Sequence, residues 1–125
     1  MIKNIEIFTR STLFNLAFFG TTLVMAICTL PAIFMARDKA MRIVHLWVRL
    51  VYGLEKIFLN LDYEIRGWEN VPQGQSFLVA AKHQSAYETM KLHLLFDDPA
   101  IVLKRELLRI PVWGRFLGKI DPIAI

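Results

Sequence analysis

The chain has 125 residues, 55% of them apolar, with 15 Lys and Arg against 11 Asp and Glu for a formal charge of +4. That length fits one domain, and the composition excludes an intrinsically disordered chain and argues against a fully soluble monomer. The single cysteine, Cys28, excludes an internal disulfide and a cysteine metal cage. A basic balance suits nucleic acid, an anionic membrane surface or a phosphorylated substrate.

The first zone is dominated by an uncharged run. From Ser11 to Ala36, 26 residues carry no charge and eighteen of them are apolar. At the helical rise the run reaches roughly 39 Å, enough for a hydrocarbon layer of about 30 Å with tilt. A signal peptide fits poorly, because its apolar region is shorter and no small-x-small cleavage pattern stands near Ala36. An uncleaved membrane anchor is expected, either spanning or lying in one leaflet. Lys3, Glu6 and Arg10 flank it on one side, and Arg37, Asp38, Lys39, Arg42 and Arg49 on the other. The more basic side places the remainder in the cytoplasm, on the inner membrane.

Residues 38–60 predict a second helix. Arg42, His45, Arg49, Gly53, Lys56 and Asn60 recur every three or four positions, and apolar residues cover the rest. Such a stripe marks an interfacial helix with its cations at lipid phosphates, or a core helix with one solvated stripe. His45 on this stripe is expected to face solvent or headgroups.

The third zone reads as α/β. Leu61–Gly67 alternates as a half-buried strand does, and Ser76–Ala81 is a continuous apolar run suiting a central strand. Val71–Gln75 is a turn cluster. A helix is expected from Ser85 to about Phe96, closed by Asp97-Asp98-Pro99, then a strand at Ala100–Leu103 and a helical turn at Arg105–Leu108. Pro111 opens a further helix, and Lys119–Ile125 reads as the start of a strand. Strands separated by helices predict a parallel or mixed sheet. The expected organisation is an anchor and interfacial helix over residues 1–60 and the first part of a mixed α/β domain over 61–125.

The stretch His83-Gln84-Ser85-Ala86-Tyr87-Glu88 carries the chemistry. It lies between the expected central strand and a helix, where α/β sites usually sit. A histidine five residues before a glutamate can fold back across such a turn. The carboxylate then accepts from one ring nitrogen, fixes the tautomer and leaves the other as a base. By spacing alone the pair is also compatible with a structural role. His83 and His93 are ten apart, whereas two zinc ligands on one helix need four, so no metal is expected. Ser85 reads as the N-cap of the following helix.

Residues 78–125 resemble the glycerolipid acyltransferases that make phosphatidic acid from lysophosphatidic acid. The resemblance rests on His83 and Glu88, spaced as the family's histidine and acidic residue are, and on Lys104, Glu106, Leu107, Pro111, Gly114 and Gly118, which follow its Lys-x-Glu-Leu, proline and glycine pattern. Most members carry aspartate where Glu88 stands and commonly asparagine where Lys82 stands; a subgroup carries glutamate. The resemblance implies acyl transfer from an acyl thioester, acyl-CoA or acyl carrier protein, to the free hydroxyl of a lysolipid, with no other cofactor. His83 would be the general base, Glu88 would orient it, and Lys82, Lys104 and Arg105 would bind substrate phosphate. The family's phosphate-binding arginine and its Glu-Gly-Thr segment would lie beyond Ile125, so a truncated form of the enzyme is expected. Two other readings stay open: a membrane-anchored protein of this kind that binds lipid or a partner without catalysis, and a hydrolase using His83 and Glu88 on water.

Overall fold

The computed structural model describes residues 2–28, 30–111 and 113–125. Four α-helices organise it: α1 (Ile2–Cys28), α2 (Arg37–Leu54), α3 (Ala86–Leu95) and α4 (Trp113–Lys119). Two strands, β1 (Val102–Leu103) and β2 (Ile123–Ala124), pair in parallel, with Val102 opposite Ile123 and Leu103 opposite Ala124. A 3₁₀ turn at Arg105–Arg109 and then α4 connect them.

α2 is the central element. Ala40, Met41, Val44, Val48 and Val51 recur every three or four residues and are buried, as one face of an amphipathic helix requires. Ala40, Met41, Val44 and Val48 join Phe116 and Ile120 in the core, with Trp47, Met90 and Leu94 packed on it. α3 and α4 therefore lie on α2. On its outer side Arg42, Arg49, Lys56 and Asn60 are exposed, interleaved with exposed Leu46, Leu50 and Ile57. The residue-38–60 helix is not uniform: the last turn, Glu55–Leu59, widens to a π-helix and stops at Asn60, whose φ of 52° is left-handed.

α1 lies antiparallel along α2. Arg10 Nε donates to the Phe58 carbonyl at 2.7 Å, and Trp47 Nε1 donates to Thr22 Oγ1 at 3.2 Å. The two contacts are twelve positions apart on α1 and eleven on the second helix, matched lengths of about 17 Å at the helical rise. Arg10, Phe14, Phe18, Thr22 and Met25 are half-buried against the body, whereas Phe8, Leu16, Phe19, Leu23 and Ile27 stay exposed. Lys3–Cys28 is long and apolar enough to cross a membrane.

The sheet is smaller than the sequence predicts. Leu61–Gly67 and Ser76–Ala81 form no regular element and belong to no ladder, and the sheet among the described residues has two strands. Phe77, Leu78 and Val79 are exposed. A continuous apolar run suits a strand buried on both faces, but only neighbouring strands make it one. The architecture is thus mostly helical with a two-stranded parallel sheet, a correction to the mixed sheet expected over 61–125. The helix at 85–96, the turn after Lys104 and the strands near 102 and 123 form where the sequence predicts them.

Gly114 has a steric role. A Cβ there would lie 2.2 Å from the Leu108 carbonyl oxygen and 2.4 Å from its carbon, whereas Gly118 has open space. Gly114→Ala should lower stability by about 1–3 kcal/mol, the range for overpacking. Gly118→Ala should cost nothing measurable. Thermal melts of the two variants check this.

Candidate active site

Helix α3 begins with Ser85. Its Oγ accepts from Tyr87 N–H at 3.1 Å, and the Glu88 carboxylate reaches back to Ser85 N–H at 3.0 Å, a reciprocal capping box. Glu88 Oε1 also accepts from Gln84 N–H at 2.8 Å. The same oxygen lies 2.6 Å from His83 Nδ1. One carboxylate thus caps the helix and holds the histidine. Partial burial favours a neutral Glu88, but the backbone N–H groups of Ser85, Glu88 and Gln84, with His83, override it and lower the carboxyl to about 2. The pair is a carboxylate facing Nδ1, and Nε2 has no hydrogen bond within the chain among the described residues. The His83 side chain is 77% exposed and Glu88 24%, so Nε2 is open to an incoming group.

His83 stands at the edge of a cavity of about 710 Å³. Phe18, Trp47, Val48, Met90, Trp113 and Phe116 line it, from four helices. The walls are overwhelmingly apolar, as in a site that takes an extended hydrocarbon. Lys104 lines the same cavity, which the structure therefore shares between two predicted site residues. Lys82 is exposed on the irregular stretch just before His83. The Arg105 side chain is exposed outside the cavity lining, while its backbone N–H donates to Ile125 at 2.9 Å.

Two further histidines bear on the site, and His45 departs from its predicted place. His45 does not face solvent; its Nε2 is cut off from water without a hydrogen-bond partner. His93 is 9% exposed and lines the cavity. Burial, reinforced by His45 and opposed by Asp98, holds the His93 imidazole below its ordinary value, so it is neutral at pH 7. Both lie on faces of α2 and α3 that turn inward once the helices pack, which sequence periodicity alone does not decide. The spacing Ser-x-x-Glu is a capping-box signature and was the signal that ties Ser85 to Glu88.

The Glu88 carboxyl is depressed in the folded state, so its contribution to stability is complete above its ordinary value of 4.5 and disappears as pH falls toward 2. A carbon-13 titration of Glu88 should show a midpoint near 2; one near 4.5 would mean that the cap is not formed. Ser85→Ala should cost about 1 kcal/mol, typical of a lost N-cap.

The sequence profile of the Acyltransferase family matches residues 62–125. A 1-acyl-sn-glycerol-3-phosphate acyltransferase of Pseudomonas aeruginosa is 40% identical over 83 residues, 66% of this chain and 32% of the relative. The chain thus spans about a third of that relative's length. No solved structure matches it. The profile covers the irregular stretch before His83, the capped helix with His83 and Glu88, and the parallel strand pair, and on that match the chain belongs to the acyltransferase family.

Proposed function

We propose that this chain carries the base of an acyl transfer from an acyl thioester, acyl-CoA or acyl carrier protein, to the free hydroxyl of lysophosphatidic acid, giving phosphatidic acid for phospholipid synthesis. The observation that carries the reading is the His83–Glu88 contact opening onto an apolar cavity. Nε2 of His83 takes the hydroxyl proton as the oxygen attacks the thioester carbonyl. Glu88 keeps the proton on Nδ1 and stabilises the imidazolium that forms. The tetrahedral intermediate collapses with loss of the thiolate, which regains a proton from His83. The hydrocarbon fits the cavity between α1, α2 and α4. Lys104 at the cavity, with Lys82 beside His83 and Arg105 on the next turn, supplies positive charge for the substrate phosphate. No covalent enzyme intermediate is needed.

The protein meets its lipid substrate on a membrane. α1 is bare and apolar on its outer face, but it lies along α2, which is also the core of the domain. If α1 stood upright across the bilayer, α2 with Arg42, Arg49 and Lys56 would be dragged to hydrocarbon depth. Each such charge costs about 2.5–3.5 kcal/mol at the centre. We propose instead that α1 lies in one leaflet. The basic flank of Arg37, Lys39, Arg42 and Arg49 favours the anionic cytoplasmic leaflet of the inner membrane.

Acyl transfer to lysophosphatidic acid should fall by about 10²–10⁴-fold in His83→Ala, the usual range for a positioned base, and strongly in Glu88→Gln. Wild-type rates in His83→Ala would refute the mechanism, and fatty-acid release without an acceptor would favour hydrolysis. A membrane-impermeant maleimide applied to inverted vesicles should label Cys28, which is exposed, and a cysteine at Lys3 in a Cys28→Ser background. Protection of one end alone would mean that α1 spans.

A further inference from the structure

Outside the site, the deepest charges among the described residues are Glu55 and Lys91. They are 3% and 7% exposed, and the Lys91 ammonium donates to Glu55 Oε2. Tyr rings enclose that ammonium: Tyr52 at 4.4 Å, Tyr87 at 4.5 Å and Tyr63 at 5.4 Å from ring centre. Tyr52 and Tyr63 lie 5.3 Å apart. Asp62 fixes both, accepting from the Tyr52 hydroxyl and from Tyr63 N–H at 2.9 Å, and it pairs with Lys56 at 2.8 Å. The network joins the end of α2, the stretch after Asn60 and helix α3.

A buried ion pair is a poor source of stability, because desolvation offsets its attraction; apolar replacements are often neutral or better. Such a pair does, however, fix one geometry. Glu55 opens the π turn, a departure from regular helix that is frequent at functional positions. Lys91 lies one turn after Glu88 on α3, and Tyr87, which it touches, adjoins Glu88 in the capped turn. The capping box holds His83 and Glu88 to each other locally. It does not set where that unit stands relative to the cavity wall made by Phe18, Trp47 and Val48 of α1 and α2.

We propose that Glu55 and Lys91 are positioning residues that set α3 against α2 so that His83 stands at the cavity mouth. The proposal rests on the reading of His83 and Glu88 as catalytic. Without the pair α3 can slide on α2 while the capped turn stays intact. A displacement of about 1 Å can cost about 10²-fold in rate.

The test uses the full chain in bicelles, Cys28→Ser, spin-labelled at Arg49→Cys on α2 and Gln84→Cys beside His83. With the pair intact the inter-label distance distribution should be narrow. In Glu55→Leu/Lys91→Met it should broaden or shift, with an unchanged circular-dichroism spectrum; the single variant Lys91→Arg, which keeps the pair with Glu55, should leave it narrow. In unlabelled protein the double variant should lose about 10²-fold in kcat at unchanged KM. A wild-type distance distribution in the folded double variant would overturn the proposal. So would a double variant whose kcat equals that of the wild type. Should Glu55→Leu/Lys91→Met fail to fold, Glu55→Gln, which keeps a hydrogen bond but not the ion pair, takes its place with the same two outcomes. The distance readout needs no turnover, so a chain with no acyl transfer would refute the catalytic reading while the helix-setting role is still decided.

Discussion

A helix leaves its first backbone N–H groups without intrahelical partners and places a partial positive charge at that end. At α3 the Ser85 hydroxyl takes the Tyr87 N–H, while the Glu88 carboxylate takes those of Ser85 and Gln84, sets a negative charge at that end and holds an imidazole as well. The spacing of the site follows from this. Ser85 must be the cap for Glu88 to stand at the third helical position, and the chain must turn sharply before Ser85 for His83 to meet the same oxygen. The histidine and the acid are five apart because the cap and the dyad share one group. That sharing also keeps the carboxylate ionised, since each backbone donor stabilises the charge that the histidine needs beside it.

The local unit acquires a function from what surrounds it. α2 supplies the floor, and α1, α3, α4 and the strand pair supply the other walls of an apolar cavity. The cost of leaving apolar walls open is offset when something apolar fills them. The bare outer face of α1 makes the same demand from outside. In the proposed function lipid meets both: a hydrocarbon within, and a leaflet against the helix. Core packing on one side of α2 and cations among exposed leucines on the other let the same helix serve both ends of that arrangement.

What could be read in the sequence was what is decided locally. His83, Ser85 and Glu88 lie within six residues, so their geometry depends on one turn. The helix at α3, the 3₁₀ turn after Lys104 and the strand starts near 102 and 123 carry their own punctuation in Pro99, Pro111 and Pro122. The apolar run at 76–81 did not decide its own state, because a strand exists only with partners, and none of the described residues pairs with it. Glu55 and Lys91 are thirty-six positions apart, and nothing in either neighbourhood marks them as a buried pair. His45 lay on a polar stripe in the sequence, yet packing turned its Nε2 inward. The hydropathy of α1 marked it as long and apolar enough to cross a membrane; its course along α2 came only from Arg10 meeting Phe58 and Trp47 meeting Thr22.

In the proposed mechanism Glu88 holds His83 with its proton on Nδ1 and its Nε2 free to act. Nitrogen-15 correlation spectra of His83 at a pH where the ring is neutral read this tautomer. The Nδ1–H form should predominate in the native chain and give way to a mixture of tautomers in Glu88→Gln. A native chain in which His83 carries its proton on Nε2, or in which Glu88→Gln leaves the spectrum unchanged, would contradict it.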